Sequence, residues 1–224
     1  MNPHDAAPDI RAVILDLDGV ITDTAEVHFQ AWKRLAEEEG LSFTREDNEQ
    51  LRGVSRRQSL DLLLGAHRYD YTETECQALM ARKNRYYREL LKDITPADFL
   101  SGAPQLLEEI RSRGLKMAVG SASKNTRTVL ERLGILHHFD VIADGHSVVR
   151  GKPAPDLCIY AAEQMGVPPE QCVVIEDAAA GIEAARAAGM VAVGVGPSTR
   201  VGKAHYRYKS TAEIDLNEVL GHGS

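Results

Sequence analysis

Asp16 and Asp18 stand two residues apart at the end of an apolar run, VILDLDGVITDT over residues 13–24. Side chains alternate along an extended chain, so both carboxylates project to the same side. Two carboxylates held this close repel, and burial raises their pKa values unless something positive compensates. The pair reads either as polar caps of a strand end or as a cation site that also holds a nucleophile. Other groups elsewhere in the chain could complete such a site: Ser121 in GSASKN, Lys152 in GKPAPD, and Glu176 with Asp177 at the end of VVIED. Singly, a strand-end serine or a surface lysine is structural far more often than catalytic. Together, four acids suit a hard cation with oxygen ligands, and the lysine and hydroxyl add donors for phosphate oxygens.

Chemistry of that kind needs elements that bring these residues to one place. Val13, Ile14, Leu15 and Leu17 read as a strand hidden on both faces, as in a parallel sheet. From residue 103 onward helix-like and strand-like stretches alternate: APQLLEEIRSRG, LKMAVGS, KNTRTVLERLG, HFDVIADG, APDLCIYAAEQMG, CVVIED, AAAGIEAARAAG and MVAVGVG. This alternation implies right-handed crossovers and a parallel sheet covered on both faces. Ligands of such sheets bind outside the carboxyl ends of the strands, where every residue named above falls. Residues 24 to about 100 differ, with helical patterns in AEVHFQAWKRLAEEEG, RRQSLDLLLGAH and TETECQALMARKNRYYRELLKD and no comparable strand. The expected fold is therefore α/β: a Rossmann-like parallel-sheet core (residues 1–22 and 101–224) with an inserted all-helical domain (residues 23–100). Residues 19–24 and TPADFLSG (95–102) would be the two connecting hinges.

Composition narrows the function classes. The chain has 224 residues, 43% hydrophobic and 26% charged, with a net charge of −7. That balance, with no dense Lys/Arg run, argues against nucleic acid as a partner. No apolar stretch approaches the roughly 20 residues that span a bilayer, and MNPHDAAPDI lacks the pattern of a secretory signal. Cys76, Cys158 and Cys172 are scattered and odd in number, and read as reduced thiols of a cytoplasmic protein. The final GHGS reads as a frayed polar end. No GxxxxGK[ST] loop is present, and VGVG over 193–196 lacks the spacing of a dinucleotide fingerprint.

The order DxDG…S…K…ED resembles the haloacid dehalogenase superfamily, and the insertion after DLDG resembles its helical cap. DLDGVITDTAEVHFQAW, NEQLRGVSR, RKN, SASKN, KPAPD and EDAAAGI together resemble one family within it, the β-phosphoglucomutases, from Ala12 to about Gly196. The superfamily motifs imply only phosphoryl transfer; the cap motifs are the specific part.

The resemblance implies roles residue by residue. Asp16 would be the nucleophile and Asp18 the general acid/base. Mg2+ would be held by Asp16, the main-chain carbonyl of Asp18 and Asp177, with Glu176 either a ligand or an orienting neighbour. Ser121 and Lys152 would hold the transferring phosphoryl group, with Ala122 and Asn125 adding contacts. In the cap, Thr24, His28 and Trp32 share a helix face at spacings of four. His28 would orient Asp18 or buffer its proton, and Trp32 would wall the sugar. Leu51, Gly53, Val54, Ser55 and Arg56 would clamp the sugar and its distal phosphate, with Ser59 and Lys83 as further contacts. Arg52 and Arg57 read as solvated charges.

The implied activity is that of an isomerase, a phosphomutase interconverting β-D-glucose 1-phosphate and D-glucose 6-phosphate. It would work through an aspartyl-phosphate, making the chain a phosphoprotein, with glucose 1,6-bisphosphate as intermediate and activator. The implied partner is a small-molecule sugar phosphate, and the chain would act as a monomer. The alternative is a sugar-phosphate phosphatase on the same fold. A non-enzymatic sugar-phosphate sensor would have no need for both Asp16 and Asp18.

Overall fold

The computed structural model describes residues 9–221. Residues 1–8 of the N-terminal stretch, and the GHGS end beyond Gly221, lie outside the described residues. Six strands, β1 (Ala12–Leu15), β2 (Lys116–Gly120), β3 (Val141–Ala143), β4 (Cys172–Glu176), β5 (Val191–Val195) and β6 (Tyr206–Tyr208), form one parallel sheet. Their order is β3-β2-β1-β4-β5-β6, so the winding reverses between β1 and β4. Such a reversal opens a crevice at the carboxyl ends of those two strands.

Helices α1 (Ala25–Glu38), α2 (Arg45–Glu49), α3 (Arg56–Leu64) and α4 (Glu73–Leu90) all lie between β1 and α5 (Ala103–Ser112). The remainder, α6 (Thr126–Arg132), α7 (Asp156–Met165), α8 (Ala179–Ala187), α9 (Ser198–Val201) and α10 (Leu216–Val219), belongs to the sheet unit.

Period-two alternation divides the sheet core in two. Val13 and Leu15 of β1 pack with Leu107, Ile110 and Val129 on one face, while Ala12 and Ile14 pack with Leu157, Ala161 and Ile182 on the other. The inserted helices have their own apolar cluster, built on Trp32, Leu35, Leu60 and Leu79. Three of these helices open with reciprocal capping boxes: Thr44 with Asp47, Ser55 with Gln58, and Thr72 with Glu75. The two connecting segments run side by side, with Leu100 N donating to Ile21 O at 3.0 Å and Thr22 Oγ1 to Asp98 O at 2.6 Å. The sequence reading ends the sheet at β5. The sixth strand escaped it because β6 has three residues, sits at the sheet edge and carries no apolar run. Among the described residues, no helix is long and apolar enough to cross a membrane.

Candidate active site

The crevice between β1 and β4 collects the acids. Asp16 leaves β1 still in the ladder, its amide donating to Ile175 O at 2.9 Å. Glu176 ends β4 and Asp177 follows it. Lys152 enters from the loop between β3 and α7, donating to Asp16 Oδ1 at 2.8 Å and to Glu176 Oε2 at 2.6 Å. All three side chains are buried. Burial alone would lower the lysine's pKa; the two carboxylates outweigh it and hold Lys152 above its ordinary range. The other oxygen of Glu176 accepts from the amides of Asp177 and Ala178 at 3.2 and 3.1 Å. Both oxygens of Glu176 are thus engaged by protein donors.

Asp16, Glu176 and Asp177 each offer a carboxylate oxygen within 4.8 Å of the others. Burial, followed by the charge on Asp16, pushes Glu176 and Asp177 upward, a penalty that a cation among them would relieve. A hard divalent cation fits this all-oxygen donor set. Gly19 makes the close approach possible: its φ is +83°, and a Cβ there would lie 2.3 Å from Asp177 Oδ2. The Asp18 carboxylate is outside this cluster and turns toward the inserted helices.

Thr24 Oγ1 donates to Asp18 Oδ1. Thr24 is also the N-cap residue of α1, where a hydroxyl ordinarily accepts from the first turn, yet it makes no such bond. Its hydroxyl is diverted to Asp18, and Tyr87 OH donates to it at 3.4 Å. Burial, then the Asp16 charge, pushes the Asp18 carboxyl up to about 7. His28 does not reach Asp18: its Nδ1 meets Lys83 Nζ at 2.8 Å, and its ring lies 4.1 Å from that of Tyr87. Lys83 is buried, with Nζ 4.8 Å from the Trp32 ring centroid and 4.6 Å from that of Tyr87. Burial first, then the neighbouring Arg56, holds Lys83 well below its usual range. Burial, then Lys83, does the same to His28.

A cavity between the two units gathers most of these groups. Asp16, Asp18 and Asp177 line it from the sheet side, with Ser121 and Ala122 beside them. His28, Trp32 and Lys83 line it from α1 and α4, and Leu51, Gly53, Val54, Arg56 and Ser59 from the loop before α3 and α3 itself. Arg56 NH2 donates to Asn84 Oδ1 at 2.9 Å. Among the described residues, no carboxylate pairs with Arg56 or Lys83.

Five of the expected residues stand behind the wall. Lys152 and Glu176 lie beneath Asp16, and Thr24 backs Asp18. Asn125 Nδ2 donates to Asn84 Oδ1 at 2.9 Å, tying the sheet unit to α4. Ser55 caps α3, which accounts for its side chain without a ligand.

Arg52 corrects the sequence reading. It is no solvated charge: NH1 donates to Asp177 Oδ2 at 3.0 Å and Nε to Glu49 at 3.0 Å. Arg57 does sit at the surface, engaged with Asp61 and Glu73. The sequence reading also missed Asn48, Ser123 and Lys124, which line the cavity, and Tyr87 behind it. Each had a legible signal: Ser123 and Lys124 stand within SASKN and Asn48 opens NEQLRGVSR, while Tyr87 stands four residues after Lys83 on the same helix face.

A doubly wound sheet whose switch point carries an Asp-x-Asp pair, a lysine and two further acids, under an inserted helical unit, defines a class. The chain belongs to the haloacid dehalogenase-like hydrolase family, whose pattern matches residues 10–189. Within that class it is 44% identical to a β-phosphoglucomutase of Bacillus subtilis (strain 168) over 209 residues, 92% of each protein. The crystal structure of a β-phosphoglucomutase from Clostridium difficile matches it with a TM-score of 0.91 and 41% identity, covering 95% of this chain and 96% of that one. It is also 34% identical to a phosphorylated carbohydrates phosphatase of Thermotoga maritima over 215 residues, 94% of this chain and 97% of that one.

Proposed function

We propose that this protein is a phosphomutase interconverting β-D-glucose 1-phosphate and D-glucose 6-phosphate. The observation that carries this reading is that one cavity has Asp16 and Ser121 on its sheet side and Arg56 and Lys83 on its helical side. On the sheet side Asp16 and Ser121 line the cavity, with Lys152 beneath Asp16 and committed to it and to Glu176, where a phosphoryl group would be transferred. Arg56 and Lys83 form a second station on the helical side, and among the described residues neither is in an ion pair with a carboxylate. A phosphatase needs one phosphate station; an enzyme working through a sugar bisphosphate needs two. Arg56 suits the second, since a guanidinium grips phosphate with two parallel hydrogen bonds.

In this reading the free hydroxyl of the sugar phosphate attacks phosphorus of the aspartyl-phosphate on Asp16, whose bond to the carboxylate breaks to give the bisphosphate. Asp16 then attacks the other phosphorus, the bond to the sugar oxygen breaks and the aspartyl-phosphate is restored. Asp18, held near a pKa of 7, takes a proton from the attacking hydroxyl in the first half-reaction and gives one to the departing oxygen in the second. Such help is typically worth about 10²–10⁴-fold. Ser121 and Lys152 hold the transferring oxygens, and Thr24 fixes the carboxyl of Asp18. Asp16 and Asp177, with the carbonyl of Asp18, would hold Mg2+, which supplies charge stabilisation for the phosphoryl oxygens. Glu176 orients Lys152. Glucose 1,6-bisphosphate would turn round between the two half-reactions, so that each of its phosphates reaches Asp16 in turn.

We assign residues 23–100 to a cap domain and residues 1–22 and 101–224 to the core, and place the protein in the cytoplasm as a monomer. The phosphatase reading is favoured by relatives such as the Thermotoga phosphatase. One assay separates the two: β-glucose 1-phosphate with Mg2+ and a trace of bisphosphate, following glucose 6-phosphate and free phosphate together. A mutase yields glucose 6-phosphate with little free phosphate; a phosphatase yields the reverse.

A further inference from the structure

Asp177 Oδ2 accepts from two guanidinium groups that come from different units. Arg52 NH1 reaches it at 3.0 Å from the loop before α3, and Arg200 NH1 at 3.4 Å from α9. Glu49 of α2 ties the arginines together, accepting from Arg52 Nε at 3.0 and 3.1 Å and from Arg200 NH1 at 3.4 Å. The result is a four-membered ion cluster across the boundary between the inserted helices and the sheet. The chain is tight here: Gly53, next to Arg52, has a φ of +72°, and a Cβ on it would lie 2.8 Å from the Ala178 Cβ. Asp177 is 5% exposed and Arg52 20%, so the contact is formed largely away from water.

The phosphoryl-transfer scheme does not use this cluster, yet Asp177 is one of its three clustered carboxylates. Asp16 and Glu176 share Lys152, while Asp177 takes its positive charge from Arg52 and Arg200. With the helices seated, three carboxylates therefore face three cations. Lifting the helices away removes Arg52 from Asp177 and leaves the carboxylates in excess. Glu49 would leave with Arg52, but it touches the arginines and not the carboxylate cluster.

We propose that Arg52 is a positioning residue that competes with the divalent cation for Asp177. Closure of the substrate-free protein and loading of the cation then oppose each other. This rests on the reading that Asp16 and Asp177 hold such a cation. A substrate phosphate brings negative charge to the same place, offsets the added positive charge and lets Arg52 return with the cation in place. The loaded enzyme thus closes on substrate and stays open without it. Linkage requires the coupling to be reciprocal: whatever Arg52 costs the cation, the cation costs the Arg52 contact.

The test uses the full chain, stripped of metal and free of substrate, titrated with Mn2+ alone and read by the electron-spin signal of free Mn2+. Arg52→Gln should bind Mn2+ about five- to a hundredfold more tightly than wild type, the usual range of such couplings, with Arg52→Lys between them. Trp32 is the sole tryptophan and lines the cavity, so its emission reports closure. Mg2+ should shift that emission in wild type and move it far less in Arg52→Gln. Equal Mn2+ affinity in all three proteins would overturn the proposal, as would weaker binding by Arg52→Gln, which would make Arg52 an aid to the cation. A wild-type emission indifferent to Mg2+ would overturn the link to closure. No Mn2+ binding by any of the three would overturn the cation reading itself, a result distinct from the others.

Discussion

The Thr24 hydroxyl is hydrogen-bonded to the Asp18 carboxyl instead of capping the helix it begins. An exposed turn would gain little from that exchange. Here it ties the N-cap residue of α1 to an acid three residues past β1, so the entry to the inserted helices and the carboxyl group are set by one bond. Tyr87 secures the far side of the same hydroxyl.

That environment makes stability depend on pH. In the folded chain the Asp18 carboxyl is pushed from 3.8 up to about 7. Between those values the unfolded chain has released a proton that the folded chain keeps, so stability falls as pH rises through the window. Asp18→Asn removes this dependence. Measured by urea unfolding of the metal-free protein, the variant should gain on wild type between pH 4 and pH 7, by roughly 2–4 kcal/mol. It should also lose turnover by about 10²–10⁴-fold. Parallel pH profiles for the two proteins would contradict the burial of that charge.

Lys152 has the opposite duty. Replacing it with Met would leave Asp16 and Glu176 buried without their shared cation. Breaking a buried pair from one side typically costs about 3–5 kcal/mol. The denaturation midpoint of metal-free Lys152→Met should fall accordingly, and adding Glu176→Gln should recover part of the loss. A double variant no more stable than the single one would show that the lysine's contact with Glu176 is incidental.

Ser55 offers a contrast, because its side chain closes a capping box on α3. Ser55→Ala should lower stability by about 1 kcal/mol, and Ser55→Asp should retain most of it, since both serine and aspartate accept from the helix amides. Thermal melts of the three proteins check this. Equal melts for Ala and Ser would remove the capping account.

Much of this was legible in the sequence. β1 to β5 are apolar runs, and helices of ordinary length separate β2 to β5, so pattern alone gives the parallel sheet and the helical insertion before it. Asp16, Asp18, Ser121, Lys152, Glu176 and Asp177 could be placed at one sheet edge from topology, because each follows or lies between strands. What could not be read are the contacts that exist only once the inserted helices meet the sheet. Arg52 and Asp177 are 125 positions apart, and Asn84 and Asn125 are 41 apart. Neither pair has a local pattern to announce it. Ser55 shows the opposite case: its side chain closes a local cap that a Ser-x-x-Gln pattern announces, while its neighbours Val54 and Arg56 face the cavity. β6 and α2 are too short to develop a period.

The central claim is that one cavity holds two phosphate stations with different duties, and Arg56 tests it most directly. Charge-assisted hydrogen bonds contribute roughly 1.5–3 kcal/mol. Arg56→Ala should therefore lower kcat/KM for β-glucose 1-phosphate by about ten- to a hundredfold. Asp16, Lys152 and Ser121 are untouched by the change, so phosphorylation of Asp16 by acetyl phosphate should proceed at the wild-type rate. The measurement is the pair of rates, mutase turnover and acyl-phosphate formation, in the same preparation. A large fall in the first with the second intact is the predicted result. Equal losses in both, or no loss in either, would contradict the account of Arg56 as the anchor of a second phosphate.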